Sequence, residues 1–224
     1  MNTSAFNAFL LADSRVPTGA YSYSSGLEPA VIAGLQVDEV YAFMRARLAT
    51  ITPLECSACV LAWRMAAAQT AADYVALERA IAARTPSAAQ RHVSHTLGRA
   101  LLLLAQSLQL DSAGIRTLAA LAAPPSRGTA LGVLGHALGV SEAACAEVCC
   151  YEDLQGIAAA ALKLLPVTPA QATRWVLDAG THVAAVVAAA QAVQEPAQLP
   201  AVCAPIMEFQ AEQHTLRHRR LFHA

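Results

Sequence analysis

The sequence predicts an all-α protein, a single-domain bundle of about ten helices. Three observations carry that expectation. Apolar residues recur at i, i+3, i+4 and i+7 in one segment after another. No stretch shows the sustained every-second-residue alternation of a half-buried strand. Glycine, proline and capping residues fall mostly between the periodic segments.

Taken in order, Phe6, Phe9 and Leu10 share helical spacing and predict a first helix over residues 3–13. Residues 10–28 then interrupt the helical pattern with a polar, aromatic loop. Val16 precedes Pro17 and is pushed away from the α region, and Gly19 supplies a turn. Ser24 or Ser25 is a candidate N-cap for a short helix ending at Gly34, with Glu28 completing a capping box. Asp38 is expected to cap the next helix, whose stripe is Val40, Phe43, Met44, Leu48 and Ile51. Pro53 ends that helix or opens the one carrying Cys56, Cys59, Val60 and Trp63.

A helix over 72–84 is closed by Pro86, and Ser87 starts a long helix to 108. On it Val93, Leu97, Ala100, Leu101, Leu104 and Leu108 form one face, with Arg91, His95 and Arg99 opposite. Helices over 111–122, 128–139 and 141–165 follow, punctuated by Pro124, Pro125, Gly139 and Ser141. Thr168 caps, and Pro169 opens, a helix expected to run to 194. Pro196 and Pro200 mark a linker, and Val202, Ile206, Phe209 and Leu216 predict a last helix. The expected organisation is a helical domain over 1–204, with 205–224 as its terminal helix end and docking arm.

Of the 224 residues 56% are hydrophobic and only 14% charged, with mean hydropathy +0.41. That excludes a disordered chain, and the length suits one core. So little charge leaves alanine and leucine on the surface, which predicts contact with a partner. A net charge of −1 and a pI of 6.6 give the chain no attraction to nucleic acid or anionic membrane. A spanning helix needs about 20 apolar residues. The stretch 101–105 is too short, and 179–193 is interrupted by Thr181, His182 and Gln191. Residues 1–8 lack the charged and apolar regions of a signal peptide. The expected location is cytoplasmic, where the six cysteines are thiols.

Candidate chemistry narrows quickly. Gly132, Gly135 and Gly139 are followed by no Lys-Ser/Thr and preceded by no strand, so they read as a close helix–helix approach and not a phosphate loop. Cys56 and Cys59 form a single C-x-x-C, and Cys145, Cys149 and Cys150 are grouped. One pair on a helix is a weak zinc signal, and cysteine packs as a small apolar residue. His92 with His95, and His214 with His218, sit one turn apart without an evident third ligand. Ser22, Ser24 and Ser25 lack the strand and Gly-x-Ser-x-Gly of a nucleophile elbow. We therefore expect no catalytic residue, no resident metal and no cofactor. The alternative is a small helical metal-binding or redox protein using Cys56, Cys59 and histidines. The tail joins Arg217, Arg219 and Arg220 to Leu221 and Phe222, a composition suited to a docking arm.

Two of these segments together resemble one family. Asp13, Ser14, Pro17, Gly19, Tyr21, Ser22, Ser24, Gly26, Leu27 and Glu28 match the opening signature of the urease accessory protein F family. His214, Arg220, Leu221 and Phe222 resemble its terminal His-x5-Arg-Leu-Phe. The sequence departs from the family pattern at Thr215, commonly Glu. It departs again over 163–169, where Lys163 and Pro166 remain but glycine and glutamine do not. Between about 55 and 130 the likeness is in helical character only.

The resemblance implies a homodimeric, non-catalytic scaffold for nickel insertion. It would bind a second accessory protein, called D or H, and recruit the nickel-carrying GTPase, called G, to apo-urease. The expected partner-binding residues are Asp13, Ser14, Pro17, Gly19, Tyr21, Ser22, Tyr23, Ser24, Gly26 and Glu28 in the loop. In the arm they are His214, Arg217, Arg220, Leu221 and Phe222. Phe222 and Leu221 are expected to anchor in a partner groove, with Arg220 paired to a carboxylate there.

Overall fold

The computed structural model describes residues 3–16, 18–68, 73–218 and 220–222. These residues form helices joined by turns and contain no strand, so the all-α expectation holds. The axis of the bundle is α4 (Ile51–Ala67). Ten of its seventeen residues are buried, because helices cover it on several sides. Pro53 lies in its first turn, where a missing N–H has no intrahelical partner to lose.

The tightest neighbour of α4 is α8 (Arg127–Ala137). Gly128 and Gly132, four apart, face it: a Cβ on Gly128 would stand 2.6 Å from the Glu55 carbonyl oxygen, and one on Gly132 would overlap that of Cys59. Gly135 likewise leaves room for the Cys145 sulfur on α9 (Glu142–Leu164). Gly132 and Gly135 thus serve helix approach, as the sequence predicts, whereas Gly139 meets nothing within 4 Å and turns the chain at φ 69° after α8. Five cysteines, Cys56, Cys59, Cys145, Cys149 and Cys150, are buried and free, and Cys203 is exposed. The Cys56 and Cys150 sulfurs lie 3.4 Å apart.

Around this centre lie α1 (Ser4–Ala12), α2 (Leu27–Ile32), α3 (Val40–Ala49), α5 (Tyr74–Ala83), α6 (Ala88–Ser107) and α7 (Ala113–Ala119). Asp73, Ser87, Ser112 and Ser141 cap α5, α6, α7 and α9 by accepting backbone N–H bonds. Thr168 caps α10 (Pro169–Gly180), with Pro169 at its start, as predicted. The chain continues through α11 (Val183–Ala192) to α12 (Pro205–Thr215). No helix among the described residues is long and apolar enough to cross a membrane.

Four expectations change. The single helix to 194 breaks at Thr181–His182, because α10 lies mainly on α9 while α11 turns onto α4. Arg64 ties the far end of α11 to α9, bonding Glu142 and the carbonyls of Gln191 and Val193. Asp38 does not cap α3; it sits in a short 3-10 turn where Glu39 accepts the Gln36 N–H at 2.8 Å. Arg91 and His95 are not set apart from the apolar face: both line one pocket with Val93 and Leu97. Finally Phe6, Phe9, Ile206 and Phe209, whose spacing marks helix faces, are exposed to solvent.

Candidate partner-docking site

The two ends that carry the family likeness meet in space. Gly26 takes a left-handed φ of 81° and starts α2, following Ser25 at φ 49°. Two successive positive-φ residues reverse the chain, and glycine takes the second at little cost. The buried Ser24 hydroxyl accepts the Glu28 N–H at 3.2 Å. The expected N-cap is corrected: Gly26 takes that place without a side-chain cap, and no capping box forms, because the Glu28 carboxylate turns away from its own helix toward the C-terminal arm.

There Glu28 gathers three donors. Its Oε1 accepts the Leu221 N–H at 2.8 Å, and its Oε2 accepts the Phe222 N–H at 2.9 Å. The His214 Nε2 lies 3.1 Å from Oε2. A carboxylate only accepts, so His214 carries its proton on Nε2. Its Nδ1 is buried without a hydrogen-bond partner. Burial lowers the His214 pKa, against the pull of Glu28; Arg220 and Arg217 act in the same sense as burial. The neutral imidazole is thus the form that fits. Charge-assisted bonds of this kind exceed neutral ones in strength, and these are shielded from water, with Glu28 and His214 buried.

This latch decides which arm residues are offered outward. Phe222 is 4% exposed, its ring lying under the Lys163 ammonium at 5.0 Å. The expectation that Phe222 anchors in a partner groove is therefore corrected: its ring packs inside its own chain, because the two backbone bonds to Glu28 hold it there. Leu221, one residue earlier, is 71% exposed. Leu216, Arg217 and Arg220 are exposed as well. His214, expected at the interface, is 1% exposed and supports it from beneath. Lys163, the basic residue kept in the divergent 163–169 segment, was not among the expected site residues; its position over Phe222 gives it a place in the latch.

In the loop, Tyr21 is 69% exposed. Tyr23 is half-buried; burial pushes its phenol pKa up, and a hydrogen bond with Thr96 opposes that. The Ser22 hydroxyl donates to the Gly19 carbonyl at 2.7 Å, and Gly19 has φ 75°. Ser22, Ser24, Gly19 and Gly26 therefore shape the loop, and Tyr21 is its exposed aromatic. Asp13 accepts the Arg15 N–H and guanidinium, which hold its carboxyl at about 2. Ser14 is exposed beside them. Pro17 lies outside the described residues, as do Arg219 and His223 of the tail. Ser25 was not expected in the site; it packs on α9 at Gly156, where a Cβ would come within 2.8 Å of its hydroxyl.

Among the described residues the metal-binding alternative finds no supporting geometry. Cys56 and Cys59 point into the seam between α4 and α9, where the neighbouring thiols and burial push both pKa values up. A thiol held protonated is a poor ligand. His218 is exposed and His214 is committed to Glu28, so the two do not act together. Among the described residues no three His, Cys, Asp or Glu side chains are placed to hold a metal ion.

Comparison with known proteins agrees with the resemblance. The family model described as UreF matches residues 36–180. This match takes in residues 55–130, where the sequence resembles the family in helical character only. The chain is 32% identical to the urease accessory protein UreF of Mycobacterium marinum over 214 residues, covering 95% of each. It is 31% identical to that of Mycolicibacterium vanbaalenii over 219 residues, again 95% of each. The protein of that name from Mycobacterium tuberculosis is 32% identical over 214 residues.

Proposed function

Since the chain belongs to the UreF family of urease accessory proteins, we propose that it is a urease-maturation scaffold. It binds a second accessory protein through the joined loop and arm, and so recruits the nickel-carrying GTPase to apo-urease. The observation that carries this reading is the Glu28 latch. It joins the end of the loop to the arm; the exposed apolar side chains these segments offer are Tyr21, Leu216 and Leu221, and the exposed cations are Arg217 and Arg220. Tyrosine and leucine beside arginine suit an interface anchor, which combines large area with polar reach. The residues beneath, Ser24, Glu28, His214 and Phe222, hold the surface in shape. The chain itself performs no GTP chemistry in this reading; the partner supplies it. The scaffold works as a homodimer in the cytoplasm.

A pull-down from urease-producing cells tests this. The full-length chain should bring down both the second accessory protein and a P-loop GTPase. A Tyr21→Ala, Leu221→Asp double variant should lose both while its helical circular dichroism stays unchanged. Co-purification that survives both substitutions refutes the assignment of this surface.

A further inference from the structure

Helix α12 is attached to the bundle differently from its neighbours. A surface helix is ordinarily held by an apolar stripe. The one fully buried residue of α12 is a histidine, His214. Ile206 and Phe209 face solvent, and Met207 and Ala211 are half-buried. Its main neighbours are α2 and α6.

Two carboxylates clasp it in place of a core. Glu28 on α2 holds His214 and the arm beyond it. Glu212 on α12 reaches the start of α6, accepting the Ser87 hydroxyl at 2.6 Å and the Ala89 N–H at 2.9 Å. On the inner side of α12 is a cavity of about 190 Å³. Met207, Ala211 and His214 line its near end, and Arg127, Cys149 and Glu152 lie among its other walls. The chain entering α12 is pinned as far as Leu199, since Arg84 bonds the carbonyls of Ala197 and Leu199, each at 2.8 Å. Residues 200–204 beyond that point have no regular structure.

We propose that α12 and its arm form a hinged wall of this cavity, turning about residues 200–204 and held shut by the Glu28 and Glu212 clasps. Elements with few buried apolar contacts open at lower free energy than the core. A carboxylate clasp that breaks exchanges its bonds for water on both sides, whereas separating α4 from α8 would expose a dry interface. Opening therefore leaves α4, α8 and α9 folded. It widens the way into a pocket that is already partly open and carries unpartnered polar atoms, the Nδ1 of His95 and the Oε2 of Glu78.

Cysteine chemistry reads the motion. Cys149 lines the cavity at 0% exposure, whereas Cys56, Cys59, Cys145 and Cys150 are buried away from its walls. The full-length chain carrying Cys203→Ser is treated with N-ethylmaleimide under native conditions, and labelling of each cysteine is followed by mass spectrometry. Cys149 should label first. Glu28→Gln removes one acceptor oxygen, so Cys149 labelling should rise roughly tenfold or more with the other four unchanged. Glu212→Gln should act in the same direction. Equal acceleration of all five cysteines, or none, overturns the proposal. Hydrogen exchange on the unsubstituted chain gives a second reading. Amides of 205–215 should exchange faster than those of α4, and equal protection overturns the proposal without any variant.

Discussion

Leu221 and Phe222 are adjacent, and the structure gives them opposite tasks, so truncating each in turn separates docking from support. Leu221 is 71% exposed. Its change to alanine in the free chain should alter stability by less than about 0.5 kcal/mol. Fully burying a leucine side chain stabilises by roughly 1.5–3 kcal/mol. Docking can still collect the exposed share of that, about 1–2 kcal/mol. At about 1.4 kcal/mol per factor of ten, Leu221→Ala should weaken binding to the second accessory protein about six- to thirtyfold.

Phe222→Ala works by another route. A core phenylalanine costs about 3–5 kcal/mol on truncation, but this one sits near the chain end, so the loss stops at the free energy of unseating the arm. The melting temperature of the bundle should hardly move, while the amides of residues 221 and 222 lose protection from hydrogen exchange. Binding should fall as well, because the arm that presents Leu221 is no longer held. Calorimetric titration of each variant with the purified partner, alongside hydrogen exchange, distinguishes the two. Binding by Leu221→Ala within twofold of the parent chain, with a loss only in Phe222→Ala, would refute the division of labour.

Other outcomes follow from the same geometry. Gly132→Ala places a methyl on the Cys59 carbonyl, and should lower unfolding free energy in denaturant titration by about 1–3 kcal/mol or more. Gly180→Ala meets nothing within 4 Å and should be neutral or stabilise by up to about 1 kcal/mol; equal costs at both sites would contradict the packing argument. Arg127 pairs with Glu55 at 2.9 Å and Glu152 at 2.6 Å and lies close to the Cys149 sulfur, so Arg127→Met strands two carboxylates. It should cost about 3–5 kcal/mol, with Glu152→Gln in the same background recovering part of it.

The arm should also loosen in acid. Burial holds His214 below its usual value of 6.5. The unseated arm therefore binds the proton more readily than the seated one, and seating is full strength above 6.5 and weakens as pH falls below it. Arm exchange, corrected for intrinsic rate, should accelerate on acidification, and His214→Gln should flatten that dependence; a parent arm with no pH response counts against it.

The fold was legible wherever a local signal decided the outcome. Thr168-Pro169 and Ser141 start helices because a cap and a fixed φ act within one turn. Gly132 and Gly135 announced a close helix approach, since a Cβ at either would overlap its neighbour. The break at Thr181–His182 had no such mark. Alanine-rich sequence propagates a helix on propensity alone, and here tertiary packing interrupts it to cover α9 and α4 with different segments. The same limit applies to Arg91 and His95. Helical periodicity sets them opposite Val93 and Leu97, but the wall of one pocket takes in all four.

For the site, the order of the two motifs along the chain was visible and their relation was not. Nothing in residues 13–28 or 214–222 says that Glu28 serves a partner 193 positions away. The capping-box reading of Glu28 was locally sound, and a long-range acceptor role displaced it because three donors outweigh one backbone N–H. That displacement explains why the motif holds both serines and a glutamate. Ser24 satisfies the N–H of Glu28, and so frees its carboxylate for the arm. It also explains the terminal pairing of Leu221 with Phe222. With consecutive backbone N–H groups directed at one carboxylate, one side chain packs against Lys163 and the other is left to solvent. A docking surface made this way depends on residues that a partner does not touch, so substitutions at Ser24, Glu28 or His214 should impair partner binding as strongly as those at Tyr21 or Leu221 while adding a loss of arm protection that the surface substitutions lack.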